Sequence, residues 1–350
     1  SDSTSPRLRA RCLERVEGGG LFWFYPSLAR IRKLVVKELK NIEVSAPGKL
    51  FLIGEYAVLE GEVGVVTAIN KRVFVREGKE RGNVDFIRRF AFNRIGFSGD
   101  PRSSFFADSS ALFFGKNKLG LGSSSAVSVS AVASALAEAG MDISSKETRI
   151  LIWHIAKEHH DTLQQERGSG LDIAASCFGG ITKMYGGQIE TLSPVSLTSE
   201  LGMVHIWTSK KSRTSEAIRA FRRFQVAKRT LAVELIRAMA EVSEGFVKVC
   251  ESDVSQSVAL LREYTRLLDK LGKEMGFDVV TKTMKELQEK VSKFDAVLKP
   301  SGAGGGDIVT VFYKKGIQLE HLLHDLPKDY VPLLSLEVEA DGVRCEDLPL

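Results

Sequence analysis

The stretch that most restricts how this 350-residue chain can fold is Lys118-Leu-Gly-Leu-Gly-Ser-Ser-Ser-Ala-Val127. Gly120 and Gly122 let the backbone turn tightly and let a ligand come close. Ser123, Ser124 and Ser125 then open a run of small apolar residues that predicts a helix over Ser123–Ala139, stopped by Gly140. The first turn of such a helix carries free N–H groups and the positive end of the dipole, which favour an anion. Serine hydroxyls placed there can donate to phosphate oxygens, and one can coordinate Mg²⁺. Read alone, the same residues would also serve as a plain helix cap after a glycine turn. The spacing GxxxxGK[ST] is absent, so this is not a Walker-type loop.

Three further segments carry residue types suited to chemistry. In Ser45-Ala-Pro-Gly-Lys-Leu-Phe-Leu-Ile-Gly-Glu-Tyr-Ala-Val-Leu59, Lys49 follows a Pro-Gly turn and precedes an apolar strand. A cation there can meet phosphate oxygens or stabilise an attacking oxygen, although a solvated lysine is the plainer reading. In Gly168-Ser-Gly-Leu-Asp172, the carboxylate of Asp172 is the only charge between Gly168 and Lys183. An acid in the first turn of a helix is favoured by the dipole, and an isolated one beside an apolar run is also a candidate base. In Lys299-Pro-Ser-Gly-Ala-Gly-Gly-Gly-Asp307, four glycines between two apolar strands indicate backbone pressed against a neighbour rather than a loose loop.

Composition narrows the class. The chain is 43% hydrophobic and 27% charged, ordinary for a soluble protein, and no apolar run approaches the roughly 18–20 residues that span a bilayer. A net charge of +5 suits a small anionic substrate and is too diffuse for a nucleic-acid binder. Cys12, Cys177, Cys250 and Cys345 are scattered without CxxC spacing, which points to a reducing, cytoplasmic setting and away from structural zinc.

Along the chain, residues 1–40 read as an extension of no assigned role, rich in Ser and Arg at the start and broken at Gly18–Gly20. Strands are expected at Glu43–Ala46 and Lys49–Ile53 around the Pro47-Gly48 turn, then at Gly64–Ile69 and Arg72–Arg76. After the Ser123 helix comes another at Lys146–Gln165, then helical segments at Ser215–Val249, Val254–Met275 and Val279–Lys293. Short strands at Phe294–Leu298 and Val309–Tyr313 flank the last glycine loop, and Asp341-Gly342 signals a hairpin between Leu334–Ala340 and Val343–Glu346. Strands, then helices, then strands again make an α+β chain of two domains, 41–200 and 201–350, joined near Thr198–Gly202.

Taken together and in this order, Pro47–Gly61, Leu119–Val127 and Ser301–Gly306 resemble the three motifs of the GHMP kinase superfamily. The resemblance runs from about Ile42 to the C-terminus. Within the superfamily it leans toward the phosphomevalonate kinases: Tyr56 stands where mevalonate kinases usually carry His, Asp307 closes the third motif, and Trp207-Thr208 with Lys210, Lys211, Ser212 and Thr214 is similar to the segment opening that family's C-terminal domain.

What the resemblance implies is a two-domain kinase with an N-terminal domain like the second domain of ribosomal protein S5 and a ferredoxin-like C-terminal domain. It implies ATP and Mg²⁺ as cofactors, a small anionic substrate, neither nucleic-acid nor membrane partners, and a monomer or homodimer. Gly120, Leu121, Gly122, Ser123, Ser124 and Ser125 would hold the ATP phosphates, with Ser124 on the metal and Asp161 or Glu166 as a second acidic ligand. Asp172 would accept or orient the acceptor's proton, and Lys49 would pair with it and stabilise developing charge. Glu55, Tyr56, Ser169, Gly170, Lys210, Ser212, Ser301, Gly302, Ala303 and Gly304 would line the substrate, with Lys210, Lys211 and Arg213 available to an anion. The implied reaction is phosphoryl transfer to 5-phosphomevalonate in isoprenoid precursor synthesis. Alternatives are a mevalonate or other small-molecule kinase, a diphosphomevalonate decarboxylase and a non-catalytic sensor. Intact Pro47-Gly48-Lys49 and Gly54-Glu55-Tyr56 weigh against the decarboxylase, and retention of both Lys49 and Asp172 against the sensor.

Overall fold

The β-branched and aromatic residues that follow Ile42 build two long antiparallel strands, β1 (Glu43–Ile53) and β2 (Gly64–Glu77). This is the first departure from the sequence reading, which broke each of them in two. A register shift between Pro47 and Gly48 takes up the missing proline N–H, so the strand bends without ending. The computed structural model describes residues 42–78, 82–102, 104–164, 168–186, 193–318, 323–324 and 326–346. The expected extension 1–40 lies outside them.

With β3 (Phe105–Asp108), β6 (Ile181–Met184), β7 (Ser193–Pro194) and β12 (Arg344–Cys345), an antiparallel sheet forms around β1 and β2 in the order β12-β1-β2-β6-β7, β3 also pairing with β2, while β4 (Phe113–Phe114) and β5 (Asn117–Lys118) pair only with each other. Four helices cover it: α1 (Asp85–Ile95), α2 (Ser123–Glu138), α3 (Lys146–Gln164) and α4 (Leu171–Phe178). Nearly every side chain of α2 after its first turn is buried, which explains why it is built from Ala, Ser and Val: only small residues let sheet and helices close on all sides. Its buried hydroxyls are satisfied locally, Ser130 donating to the Ala126 carbonyl at 2.7 Å and Ser134 to that of Ala131 at 2.8 Å. Gly140 ends it in a left-handed turn, with bonds from Gly140 N–H to Ala137 and Met141 N–H to Leu136.

The chain passes from the first sheet to a second between Pro194 and Leu201. The second sheet runs β11-β8-β10-β9, antiparallel throughout, from β8 (Leu201–Trp207), β9 (Val297–Pro300), β10 (Ile308–Lys314) and β11 (Val331–Pro332). Helices α5 (Thr214–Ala227), α6 (Arg229–Val249), α7 (Val254–Met275) and α8 (Lys282–Ser292) pack with it. The single helical region expected over Ser215–Val249 breaks at Lys228, whose φ of −133° is not helical. Leu52, Ile53, Tyr56 and Ala57, at and just beyond the end of β1, join this second core. One strand thus serves both halves.

The hairpin expected at Asp341-Gly342 does not form. Arg344–Cys345 pairs with β1, and Val338 makes a lone bridge to Ile69. Gly342 lies so close to the Cys177 carbonyl at the end of α4 that a Cβ would overlap it, so this glycine serves close approach rather than a turn. Buried Arg72 fastens the segment: it donates to the carbonyls of Asp341 (3.1 Å), Gly342 (2.7 Å) and Ser45 (3.2 Å), and pairs with Glu339 at 3.4 Å. Among the described residues no helix is long and apolar enough to cross a membrane.

His205 on β8 and Thr310 on β10 are both buried and share a 2.9 Å cross-strand hydrogen bond. Burial lowers the His205 imidazole from 6.5 to about 4, so between those values the unfolded chain binds a proton that the folded one refuses. This contribution is complete above pH 6.5 and is lost as pH falls toward 4, up to about 3 kcal/mol. Urea unfolding at about pH 7 and about pH 4.5 should therefore show a smaller acid loss in His205→Asn than in the parent.

Candidate functional site

Local chemistry first places the glycine turn. Gly120 and Gly122 both take φ of 78°, and the Leu121 carbonyl between them accepts the Lys49 N–H at 2.8 Å. The strand can come that close because Gly48 has no side chain: a Cβ there would stand 2.6 Å from the Leu121 oxygen. The stem of Lys49 then runs over Gly122, where a Cβ would meet its Cγ at 2.7 Å and its Cε at 3.0 Å. The Lys49 ammonium lies 5.1 Å from the centre of the Phe51 ring.

At the start of α2, Ser125 is buried and donates to the Gly122 carbonyl at 2.8 Å, closing the turn. Ser123 is half-buried and Ser124 exposed; the Ser124 hydroxyl lies 3.2 Å from His160 Nε2 on α3. Asp161, the next residue, pairs with Lys157 at 2.6 Å and accepts the Gly168 N–H at 3.1 Å. Of the two acids expected with Ser124, Asp161 follows His160 in the chain but turns its carboxylate to Lys157 and the Gly168 N–H, while Glu166 lies outside the described residues.

Asp172 occupies the first turn of α4 and accepts its neighbour's N–H, that of Ile173, at 3.0 Å. One turn on, Ser176 donates to the Pro47 carbonyl at 2.8 Å. Residues four apart share a helix face, so Asp172 is on the side of α4 turned to the Pro47–Lys49 bend. No ion pair joins Lys49 to Asp172. Ser169 and Gly170 shape the entry: Ser169 Oγ receives the Leu171 N–H at 3.3 Å, and the Gly170 carbonyl receives the Trp153 indole N–H at 3.0 Å.

The third glycine loop closes the site from the other half. The Phe51 N–H donates to Ser301 Oγ at 2.9 Å, the Tyr56 hydroxyl to the Ala303 carbonyl at 2.6 Å and the Ser212 hydroxyl to the Gly304 carbonyl at 2.7 Å. Gly302 N–H points at Glu55 Oε1 from 3.4 Å. Gly304 backs onto the Val279 carbonyl and Gly306 onto that of Lys210, each closer than a Cβ would allow. The expectation of backbone pressed against neighbours is met at these two positions.

Glu55 and Tyr56, expected on the substrate, lie inside this seam. Glu55 is buried against Lys299, whose side chain is fully buried and also donates to the Pro300 carbonyl at 2.7 Å. Burial lowers the Lys299 ammonium's pKa and the Glu55 charge works against it. Tyr56 takes a φ of 64°, and burial raises its phenol far above the ordinary range. Lys210, Lys211 and Arg213 are exposed on the turn before α5, and Ser212 is half-buried.

Two residues with no role in the sequence reading stand at the site, His160 beside Ser124 and Asp307 against Gly120. His160 carried no local signal. For Asp307 the signal was present: an acid directly after three glycines, at a position that needs φ of 54°.

Residues 115–180, which include the glycine turn and Asp172, match the family model described as the GHMP kinases N terminal domain. A phosphomevalonate kinase of Saccharolobus solfataricus is 27% identical across 87% of this chain and 99% of its own length. A mevalonate kinase of Thermococcus gammatolerans is 26% identical across 88% of this chain and 99% of its own. Among solved structures, that of Streptococcus pneumoniae phosphomevalonate kinase in complex with phosphomevalonate and AMPPNP superposes with a TM-score of 0.67, at 20% identity, over 87% of this chain and 100% of that one. That likeness is one of fold.

The seam is open to a stability test. Lys299→Met leaves the Glu55 carboxylate buried and unpaired, and should cost about 3–5 kcal/mol in urea unfolding. The double variant Glu55→Gln, Lys299→Met should recover most of that loss, since it removes both charges together.

Proposed function

Since the chain belongs to the GHMP kinase superfamily, as a small-molecule kinase of the mevalonate kinase and phosphomevalonate kinase type, we propose that it transfers the γ-phosphoryl group of ATP to 5-phosphomevalonate. The observation that carries this reading is the meeting of three separate segments: Lys49 lies along the Gly120–Gly122 turn, and Asp172 is turned to the same bend of β1. Phosphoryl transfer needs little covalent chemistry from the protein and depends on positioning and on charge.

In this reading the N–H groups at the start of α2 and the Ser123 and Ser124 hydroxyls hold the ATP phosphates, whereas the Ser125 hydroxyl, expected among them, is buried and spent on the Gly122 carbonyl, where it keeps the turn closed. Of the donors proposed for Mg²⁺, Ser124 offers an exposed hydroxyl at the start of α2, while the Asp161 oxygens are taken by Lys157 and the Gly168 N–H. The Ser124 hydroxyl is a hard oxygen ligand and would hold an ion whose other ligands are mostly phosphate oxygens and water. When bound, the ion neutralises charge on the β- and γ-phosphates. Asp172 orients the acceptor, and Lys49 stabilises negative charge on the attacking oxygen. An acceptor that is itself a phosphate has a second pKa near about 6 and arrives ionised, so positioning outweighs proton removal. Lys210 and Lys211, exposed on the turn that meets the third glycine loop, supply cations for it. That favours a phosphorylated acceptor over mevalonate, the second reading, which the likeness to mevalonate kinases keeps in view.

ADP release from Mg-ATP with mevalonate, 5-phosphomevalonate and diphosphomevalonate offered separately tests the assignment. Turnover on 5-phosphomevalonate alone is expected, with kcat lowered roughly 10²–10⁴-fold in Lys49→Met and in Asp172→Asn. Turnover on mevalonate alone would keep the mechanism and sink the acceptor.

A further inference from the structure

Asp307 has no part in the chemistry above, yet the loops that perform it meet on this residue. Its φ of 54° is one that side chains other than Asn and Asp seldom adopt. The backbone is held from both sides: Asp307 N–H donates to the Lys210 carbonyl at 2.6 Å, while the Asp307 carbonyl accepts from Thr208 N–H at 2.8 Å and Thr208 Oγ1 at 3.1 Å. Oδ1 accepts the Ser212 N–H at 3.1 Å. The rest of the carboxyl lies on Gly120, where any Cβ would overlap it.

Two residues along the same turn, Gly122 carries the stem of Lys49. The segment Gly120–Gly122 therefore bears a carboxyl at one end and a lysine chain at the other. Burial raises the Asp307 pKa, and against that act the Ser212 N–H and the charges of Lys49 and Lys211. Lys49 makes no direct salt bridge to Asp307 or to Asp172. A negative charge beside a turn meant for a triphosphate weakens nucleotide binding by simple repulsion. Its use must lie elsewhere.

We propose that Asp307 is a positioning residue whose charge keeps the Lys49 ammonium at the seam between donor and acceptor. Without it, the cation is drawn to the strongest negative charge in reach, the triphosphate, and is no longer aimed at the attacking oxygen. This inference rests on the kinase reading above and deepens it. The charge is set to weaken nucleotide binding while speeding transfer, so the two effects of removing it should have opposite signs.

Asp307→Asn isolates the charge, because Asn keeps an Oδ1 for the Ser212 N–H and tolerates the backbone angle. By calorimetry without Mg²⁺, ADP should bind the variant about three- to tenfold more tightly than the parent. With Mg-ATP and 5-phosphomevalonate, kcat should fall at least about tenfold while the KM for ATP stays level or drops. The thermal midpoint should move by no more than about 3 °C. Weaker ADP binding together with a lower midpoint would make Asp307 merely structural, and unchanged ADP affinity and kcat would leave it without a role; either overturns the proposal. If the parent turns over none of the three acceptors, the substrate assignment fails. The ADP comparison then still decides on Asp307, tighter binding supporting it and equal or weaker binding overturning it.

Discussion

Glu55 and Lys299 meet out of water where the two halves of the chain join, and the site depends on that meeting. Each charge alone would cost several kcal/mol to bury, and their attraction offsets this only with good geometry and further hydrogen bonds. Lys299 obtains them from Glu55 and the Pro300 carbonyl, while the Tyr264 hydroxyl donates to the Glu55 carbonyl at 2.8 Å. Glu55 Oε2 is buried without a partner, so the pair is not optimised for stability. What it supplies is a fixed relation: Glu55, two residues past the end of β1 and six after Lys49, is tied to the strand that opens the third glycine loop.

Backbone strain gathers in the same region. Tyr56, Ser209 and Asp307 all have φ near +60° without being glycine. Such conformations persist only where the surroundings over-determine them. Here they are held by Tyr56 to Ala303, Ser209 to the Asp329 carbonyl, and Asp307 to Lys210 and Thr208. A rigid seam built from strained turns suits a reaction whose demands are mainly geometric.

Much of the α+β fold was legible because its signals are local. The Ser123 helix and its glycine stop, the Lys146 helix and the Val254 helix follow from periodicity and caps, and they lie within a residue of their expected ends. The misreadings share a cause. Pro47-Gly48 and Asp341-Gly342 are turn signals in isolation, but here each glycine makes room for a carbonyl from a distant segment, Leu121 in one case and Cys177 in the other. No local rule contains that neighbour. The site divides in the same way. Lys49, the glycine turn and Asp172 stood out as charges or glycines in apolar settings, whereas Glu55 and Tyr56 were placed on substrate because the motif around them hides that both face inward.

By itself, the sequence determined which residue types were available for chemistry and where the helices beside them begin, since capping, glycine conformation and apolar periodicity act over a few residues. Only the tertiary structure decided which acid stands by which lysine. The electrostatic neighbour of Lys49 across the glycine turn is Asp307, 258 positions away in the chain, and no ion pair to Asp172 forms. That choice depends on the packing of two sheets through one shared strand, and packing at such separations leaves no trace in the spacing of residues.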